Sequence, residues 1–356
     1  MPSKYINSVF LLTLYFLVAA AAFTGFASKW GFRDGNPRFA LGKILDGSAD
    51  KPFVYRRLLP EIANIVEGST PPKIVNTIAE NYYFGPFRYY SKSSILKNVT
   101  NDYKFKWILI YWMSFGCLFA SLFLIRSILL TVGVGNSVAI LAPCVFCLCI
   151  PIIQTVGGYY YDFSELMFMS LAFFAAIQNR LLLLLPIVVL ATLNKESFLF
   201  YLPTLYPFLH ISNSKLKNWL YFTFIISVSA SVSFWIKSLY ANNAGSVAEF
   251  HFYENLRNYL NPLTYLQFDD SYGLITPRGL NILNLILILF LVKTAWKHFD
   301  EKVKKHCYVA LFINLPLFLV FCFTNEIRNL SFLYIPLVFL IAYTLKCYAK
   351  PELSSK

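Results

Sequence analysis

The residues of this chain best placed to do chemistry are ionisable groups that interrupt apolar runs. A charge at the centre of a bilayer costs about 2.5–3.5 kcal/mol on insertion scales, so such groups are functional candidates. In Gly157-Gly158-Tyr159-Tyr160-Tyr161-Asp162-Phe163-Ser164-Glu165, two carboxylates stand three residues apart. On a helix they share a face. At a helix N-terminus the pair either caps the dipole or holds a metal ion or polar ligand. Asn194-Lys195-Glu196-Ser197 breaks another apolar run. It is either a short outer turn or a buried cluster whose lysine meets a phosphate or an acid from another helix. Asn325-Glu326-Ile327-Arg328-Asn329 joins the last two apolar runs. Glu326 and Arg328 form either a rim ion pair or a bidentate phosphate clamp. Nearer the N-terminus lie Asp34, in Gly31-Phe32-Arg33-Asp34-Gly35-Asn36, then Asp46 and Asp50. Arg56 and Arg57, in Tyr55-Arg56-Arg57-Leu58-Leu59-Pro60, open a helical pattern and either bind an anion or snorkel to lipid headgroups.

The elements that must position these groups follow from composition. The chain has 356 residues, 57% hydrophobic, 18% aromatic and 14% charged, with mean hydropathy +0.56. Soluble domains carry about 25% charged residues. The expected class is therefore an all-α, polytopic transmembrane bundle forming one integral membrane domain over 1–356. Disorder and a disulfide scaffold are excluded. The seven cysteines lie in or beside apolar runs, as inert thiols do. Cys144-x-x-Cys147 has metal-like spacing but no accompanying pair or histidine.

Apolar runs near 7–27, 107–130, 137–156, 163–178, 181–194, 197–211, 219–240, 280–297, 307–323 and 331–348 predict about ten helices. The first, Val9 to Ala27, exceeds the usual 7–15-residue core of a signal peptide and reads as an uncleaved helix. Lys and Arg gather in alternate connections, including Arg126, Arg180, Lys215, Lys217, Lys302 and Lys304. The positive-inside rule then puts both termini in the cytoplasm. The same rule accounts for the net charge of +13, and no basic run interleaved with aromatics supports nucleic acid as a partner. Of the acids, only Asp300, Glu301 and Glu352 fall on the cytoplasmic side, so the polar apparatus faces outward.

Two long outer connections are expected, 28–106 and 241–279. In the first, Phe53, Tyr55, Leu58, Leu59, Ile62, Ile65 and Val66, then Ile74, Ile78 and Tyr82, recur at helical spacing. They predict two amphipathic surface helices. The aromatic run Tyr82, Tyr83, Phe84, Phe87, Tyr89 and Tyr90 is either an interfacial belt or a stacking surface for a sugar or lipid chain. The motifs of ATP hydrolysis, zinc proteolysis and serine-nucleophile chemistry are missing. No inverted repeat supports a secondary transporter.

A first helix, a long outer loop with surface helices and an early Asp, then many spans, resembles the membrane glycosyltransferases of the C-type fold (GT-C). Tyr55-Arg56-Arg57-Leu58-Leu59-Pro60, Tyr161-Asp162, Asn194-Lys195-Glu196-Ser197 and Glu326-Ile327-Arg328 carry the likeness over roughly 1–330. It is to a bacterial, poorly characterised branch of that fold. The resemblance implies a polyprenyl-phosphate-linked sugar donor, a glycan or lipid-linked acceptor and a site outside the cytoplasm, in a bacterial inner membrane. It implies Asp34 as catalytic base, although the loop lacks a paired Asp-Asp or Glu-Asp. The departing lipid phosphate needs cations, and Arg56, Arg57, Lys195 and Arg328 are available. Asp162, Glu165, Glu196 and Glu326 are the expected substrate or metal ligands, and a divalent ion such as Mg or Mn could bridge Asp162 and Glu165 to that phosphate. The competing expectations are a surface-polysaccharide polymerase and a lipid-linked oligosaccharide flippase or transporter.

Overall fold

The structure is a computed structural model, and it describes residues 2–81, 99–209 and 214–349. The aromatic run Tyr82–Tyr90 lies outside the described residues. All ten apolar runs are helical. In chain order the helices are α1 (Pro2–Lys29), α2 (Leu41–Leu45), α3 (Leu58–Ser69), α4 (Pro72–Glu80), α5 (Asn101–Thr131), α6 (Asn136–Ile153) and α7 (Tyr161–Ile177). They continue with α8 (Leu181–Asn194), α9 (Phe198–Tyr201), α10 (Lys215–Leu239), α11 (Phe252–Tyr259), α12 (Ile282–Ala295), α13 (Glu301–Phe321) and α14 (Tyr334–Tyr348).

Six candidate spans are long and apolar enough to cross a membrane: Ser8–Lys29, Asn101–Thr131, Asn136–Ile153, Lys215–Leu239, Glu301–Phe321 and Ser331–Tyr348. The chain is a helical membrane protein. The other four of the ten expected spans are shorter. At 1.5 Å per residue a 14-residue helix such as α8 covers about 21 Å, less than the roughly 30 Å hydrocarbon core. α7 is nearly long enough at 17 residues, but Asp162 and Glu165 occupy its first two turns.

Local signals set several helix starts. Thr100 accepts a hydrogen bond from Tyr103 N, Asn281 from Leu283 N and Asp300 from Val303 N. Each satisfies one of the donors left free at an N-terminus. The core centres on α5, which packs against α1, α6 and α7. Tyr15, Phe23, Phe26, Trp107 and Phe163 are fully buried there. Phe23 and Phe26 hold Phe163 at ring separations of 5.0 and 4.9 Å.

The two surface helices expected in the first loop are α3 and α4, and both lie against α5. Their apolar residues divide between two surfaces. Leu58, Leu59, Val75 and Ala79 are buried, whereas Ile62, Ile65, Val66 and Ile74 are exposed. The second loop departs from the all-helical expectation. It contains a short antiparallel hairpin, β1 (Phe268–Ser271) with β2 (Leu274–Pro277). Its two turn residues, Tyr272 and Gly273, both have positive φ, as a two-residue turn matched to strand twist requires.

The long connections meet at one end of the bundle. Trp30 Nε1 donates to Gln154 O, Arg57 N to Leu193 O, Lys51 N to Ala244 O and His251 N to Val320 O. This gathers the segments around residues 30–57, 154–162, 193–197, 244–281 and 320–331 into one polar layer.

Candidate functional site

The first step in building the site is a tight turn. Gly157 and Gly158 precede α7, and neither has room for a Cβ. At Gly157 a Cβ would stand 2.4 Å from Glu326 Oε1, and at Gly158 it would stand 2.6 Å from the Trp30 ring. The bare backbone lets the start of α7 lie against α1 and against the 326–328 turn. That approach delivers the buried charges to one another.

Arg328 donates to Asp162 Oδ1 at 2.9 Å and, through Nε and Nη2, to Glu326 Oε1 at 3.1 and 2.7 Å. Asp162 also accepts from Gln154 Nε2 and from the Tyr159 N–H. Lys195 donates to Glu165 Oε2 at 2.7 Å, and Ser331 Oγ donates to the other oxygen at 2.8 Å. Arg56 pairs with Glu196 at 3.3 Å. Arg57 pairs with Glu61 one turn along α3 and donates to Ile44 O. Asp162, Glu165, Lys195 and Arg328 are all less than a tenth exposed. Burial alone would lower the Arg328 pKa, but Asp162 and Glu326 outweigh it and hold the guanidinium charged, well above its ordinary value.

The sequence clusters therefore converge, but the roles expected for them change. The resemblance assigns Arg56, Arg57, Lys195 and Arg328 to phosphate, with pairing to an acid as the alternative for Lys195 and Arg328. Each has a carboxylate partner, so that alternative holds for Lys195 and Arg328, and all three nitrogens of Arg328 are committed to acids. Asp162 and Glu165 share a face as expected, yet they serve different cations and do not form a joint ligand pair. Among the described residues no three His, Cys, Asp or Glu side chains come together as a metal-binding group. With each carboxylate bound to its own cation, Asp162 and Glu165 do not fit a bridging divalent ion. The cysteine spacing Cys144-x-x-Cys147 falls inside α6, with both thiols free and buried.

Above this layer opens a cleft of about 470 Å³. Arg33, Arg38 and Arg278 line it, with Glu249, Glu254 and Glu326 opposite in charge. Phe39, Phe53, Tyr159 and Phe323 supply aromatic walls. Tyr159 is the hinge between the cleft and the buried layer. Arg328 sits 4.4 Å from its ring centroid and Arg33 sits 4.6 Å away. Burial raises the Tyr159 pKa, against the opposing pull of Arg328 and Arg33, and it stays a phenol.

Arg33 is the cleft residue that sequence reasoning passed over. Its guanidinium also lies 4.3 Å from the Trp30 ring, and its Nε donates to Gly158 O at 3.3 Å. Among the described residues it has no ion pair, unlike Arg38, which is tied to Asp50 and Glu249. Its backbone φ is +54°, a left-handed conformation that costs a non-glycine residue roughly 1–2 kcal/mol. No local pattern marks it, because Trp30 and Arg33 lie beyond the end of α1 at Lys29.

Asp34, its neighbour, turns elsewhere. Its carboxylate accepts from Tyr103 Oη and, at 3.4 Å, from Trp107 Nε1, both on α5. Burial raises its pKa, and these two donors only partly offset that. It does not line the cleft. The carboxylate that is most open there is Glu254, which meets His251 Nδ1 at 2.9 Å.

Compared with family models, with curated proteins and with solved structures, the chain matches none.

Proposed function

We propose that the chain is a membrane glycosyltransferase that moves a sugar from a polyprenyl-phosphate-linked donor to a surface-glycan or lipid-linked acceptor. The observation that carries this reading is the lining of the cleft. Aromatic faces suit the apolar faces of sugar rings. Arg33 and Arg278 suit a phosphate, because charge-assisted hydrogen bonds are the strong ones. A carboxylate within reach of an acceptor hydroxyl supplies the general base. The cleft opens at the bundle end that the positive-inside rule places outside the cytoplasm, with both termini inside, which fits a lipid-linked donor in a bacterial inner membrane.

In this reading the phosphate falls to Arg33 rather than to the buried cations, whose charge is already matched. Arg56, Arg57, Lys195 and Arg328 then hold the shape of the site. Two carboxylates compete for the role of base. Asp34 is implied by the resemblance to GT-C enzymes, and Glu254 lines the cleft. Transport by a flippase has less support. Among the described residues, buried polar contacts deeper in the bundle, such as Thr192 with Ser229 and His306 with Thr204 O, are isolated from one another. They do not form a path toward the other end.

The test is mass spectrometry of lipid-linked and finished glycans from cells lacking the gene. The same cells would carry wild type, Arg33→Ala, Asp34→Asn or Glu254→Gln. Loss of one sugar, restored by wild type and not by Arg33→Ala, supports the transferase. The carboxylate variant that fails to restore it is the base. Single repeat units in place of long chains point to a polymerase. Unchanged sugar composition, with lipid-linked units trapped on the inner leaflet, overturns both enzyme readings.

A further inference from the structure

We propose that a second groove beside the cleft is the acceptor subsite, taking the hydroxylated saccharide that receives the sugar, with Glu254 on the shared wall as the base. This inference rests on the glycosyl-transfer reading and divides that reaction between two cavities.

The groove is built on one face of α11. Glu254, Arg257, Asn258 and Asn261 follow the i, i+3, i+4 and i+7 spacing that brings side chains together on a helix. The helical turn carries on past Tyr259, since Asn261 N donates to Asn258 O. These four residues line a groove of about 430 Å³. Glu254 and Asn258 also line the cleft, so they form the wall that the two cavities share. Other residues of α11 pin it in place. Asn255 is 1% exposed and donates to Leu319 O and Cys322 O at 2.9 and 2.7 Å, at the end of α13. Asn325 N donates to Tyr259 Oη at 3.1 Å. The shared wall is therefore tied to the same connection that brings Phe323 and Glu326 to the cleft.

The lining side chains are oriented with one end left open. His251 Nδ1 holds Glu254 Oε2 at 2.9 Å, and His251 is itself backed by Glu249 at 3.4 Å and by the Phe323 ring at 4.1 Å. Glu254 Oε1 has no partner among the described residues. Asn258 Nδ2 donates to Thr324 Oγ1 at 2.9 Å, which leaves its Oδ1. Asn261 Oδ1 accepts from Leu263 N at 3.1 Å, which leaves its Nδ2. Arg257 makes no ion pair among the described residues. Acceptors and donors thus stand side by side in the groove. A hydroxyl both donates and accepts, so this set suits a polyol. The groove has no aromatic wall, whereas the cleft joins aromatic faces to Arg33 and Arg278 and suits the sugar phosphate. In the transfer, the acceptor hydroxyl gives its proton to Glu254 Oε1 and its oxygen bonds to the anomeric carbon of the sugar. The bond from that carbon to the phosphate oxygen breaks, and the electron pair leaves on the phosphate beside Arg33. Asp34 lines neither cavity.

The experiment uses the full chain in cells lacking the gene, with glycans read by mass spectrometry. Arg257→Ala with Asn261→Ala should restore the missing sugar at least about tenfold less than wild type, the loss expected when charge-assisted hydrogen bonds go. Glu254→Gln should restore it at least about a hundredfold less. Positions 257 and 261 are exposed, so the double variant should keep the wild-type melting temperature. To locate the acceptor, a photo-crosslinking benzophenone amino acid replaces Tyr253, one turn before Arg257, or Phe53 in the cleft wall, by stop-codon suppression in the Glu254→Gln chain. The adduct at 253 should carry the unextended glycan that accumulates without the gene, and the adduct at 53 the sugar phosphate. Full transfer by the double variant overturns the subsite. So does an adduct at 253 that holds phospholipid alone or the same species as at 53. Both failures leave wild-type transfer intact. If instead loss of the gene changes no glycan, the transferase reading fails and the subsite falls with it.

Discussion

Arg328 and Asp162 are 166 residues apart in the chain, yet a 2.9 Å hydrogen bond joins them where each side chain is only 6% exposed. The pair ties the last connection of the bundle to the start of α7. Desolvating two ions is expensive, and their attraction repays it only when the remaining lone pairs and protons are also satisfied. Here Glu326, Gln154 and the Tyr159 N–H do so. The arrangement is a scaffold in which loss of one member strands the others.

Arg328→Met should therefore destabilise the protein by about 3–5 kcal/mol, the usual cost of leaving a buried charge without its partner. Thermal unfolding in detergent measures it. A double-mutant cycle of Lys195→Met with Glu165→Gln should give a coupling of about 0.5–3 kcal/mol. Additive effects would show that this pair does not hold the site.

Arg33→Gly separates function from stability. Glycine adopts the left-handed conformation freely, which recovers up to about 1 kcal/mol of strain. Three cation–π contacts, to Trp30, Phe39 and Tyr159, are lost, worth roughly 0.5–1 kcal/mol each where solvent reaches them. Stability should stay within about 2 kcal/mol of wild type. Sugar transfer should fall about ten- to a hundredfold, the loss expected for a charge-assisted hydrogen bond of about 1.5–3 kcal/mol. An active Arg33→Gly protein would remove Arg33 as the phosphate ligand.

Asp34 carries a pH signature. Its folded-state pKa is raised, so its stability contribution is full below the unfolded value and is lost as pH rises through the folded one. Asp34→Asn should melt higher than wild type at pH 7, and the gap should close below about pH 4, the ordinary carboxylate range. A gap that does not change with pH would show that Asp34 is not strained by ionisation.

Glu249 works in the opposite direction. Burial would raise its pKa, but the hydrogen bond and charge of Arg38 outweigh that and hold it low. Its contribution is present above the unfolded pKa and is lost as pH falls through the folded one. The tie it makes joins the second loop to the first. Glu249→Gln should speed proteolysis between residues 241 and 251 at pH 7, and acidification below about pH 4 should do the same to wild type.

Gly158→Ala should cost about 1–3 kcal/mol, because the new methyl would meet the Trp30 ring at 2.6 Å in a packed layer. Trp30→Leu should restore part of the loss by opening space. Melting temperatures of the two single variants and the double variant test this.

Much of the bundle was legible because its signals are local. Apolar runs marked each helix, and the periodicity around Leu58 and Ile74 marked α3 and α4. Span number was less legible. An apolar run shows that a segment avoids water, but not whether protein or lipid covers it. α7 is short and largely packed inside the protein, whereas α8 is shorter still yet leaves Leu182, Leu183 and Leu190 exposed. The β1–β2 hairpin went unseen because four-residue strands with two adjacent aspartates carry no alternating pattern.

By itself, then, the sequence determined a helical membrane protein whose ionisable groups collect in particular connections. Those properties follow from composition and from spacing within a few turns. Only the tertiary structure decided which charges cancel. Whether Arg328 is a phosphate ligand or a strut depends on a carboxylate 166 residues away coming within 3 Å, and no local pattern records that distance. The same convergence leaves Arg33 at the cleft without an ion pair among the described residues and turns Asp34 toward Tyr103 and Trp107. Coulomb attraction and hydrogen bonding act over a few ångströms, so a buried cation takes its role from its neighbours in space.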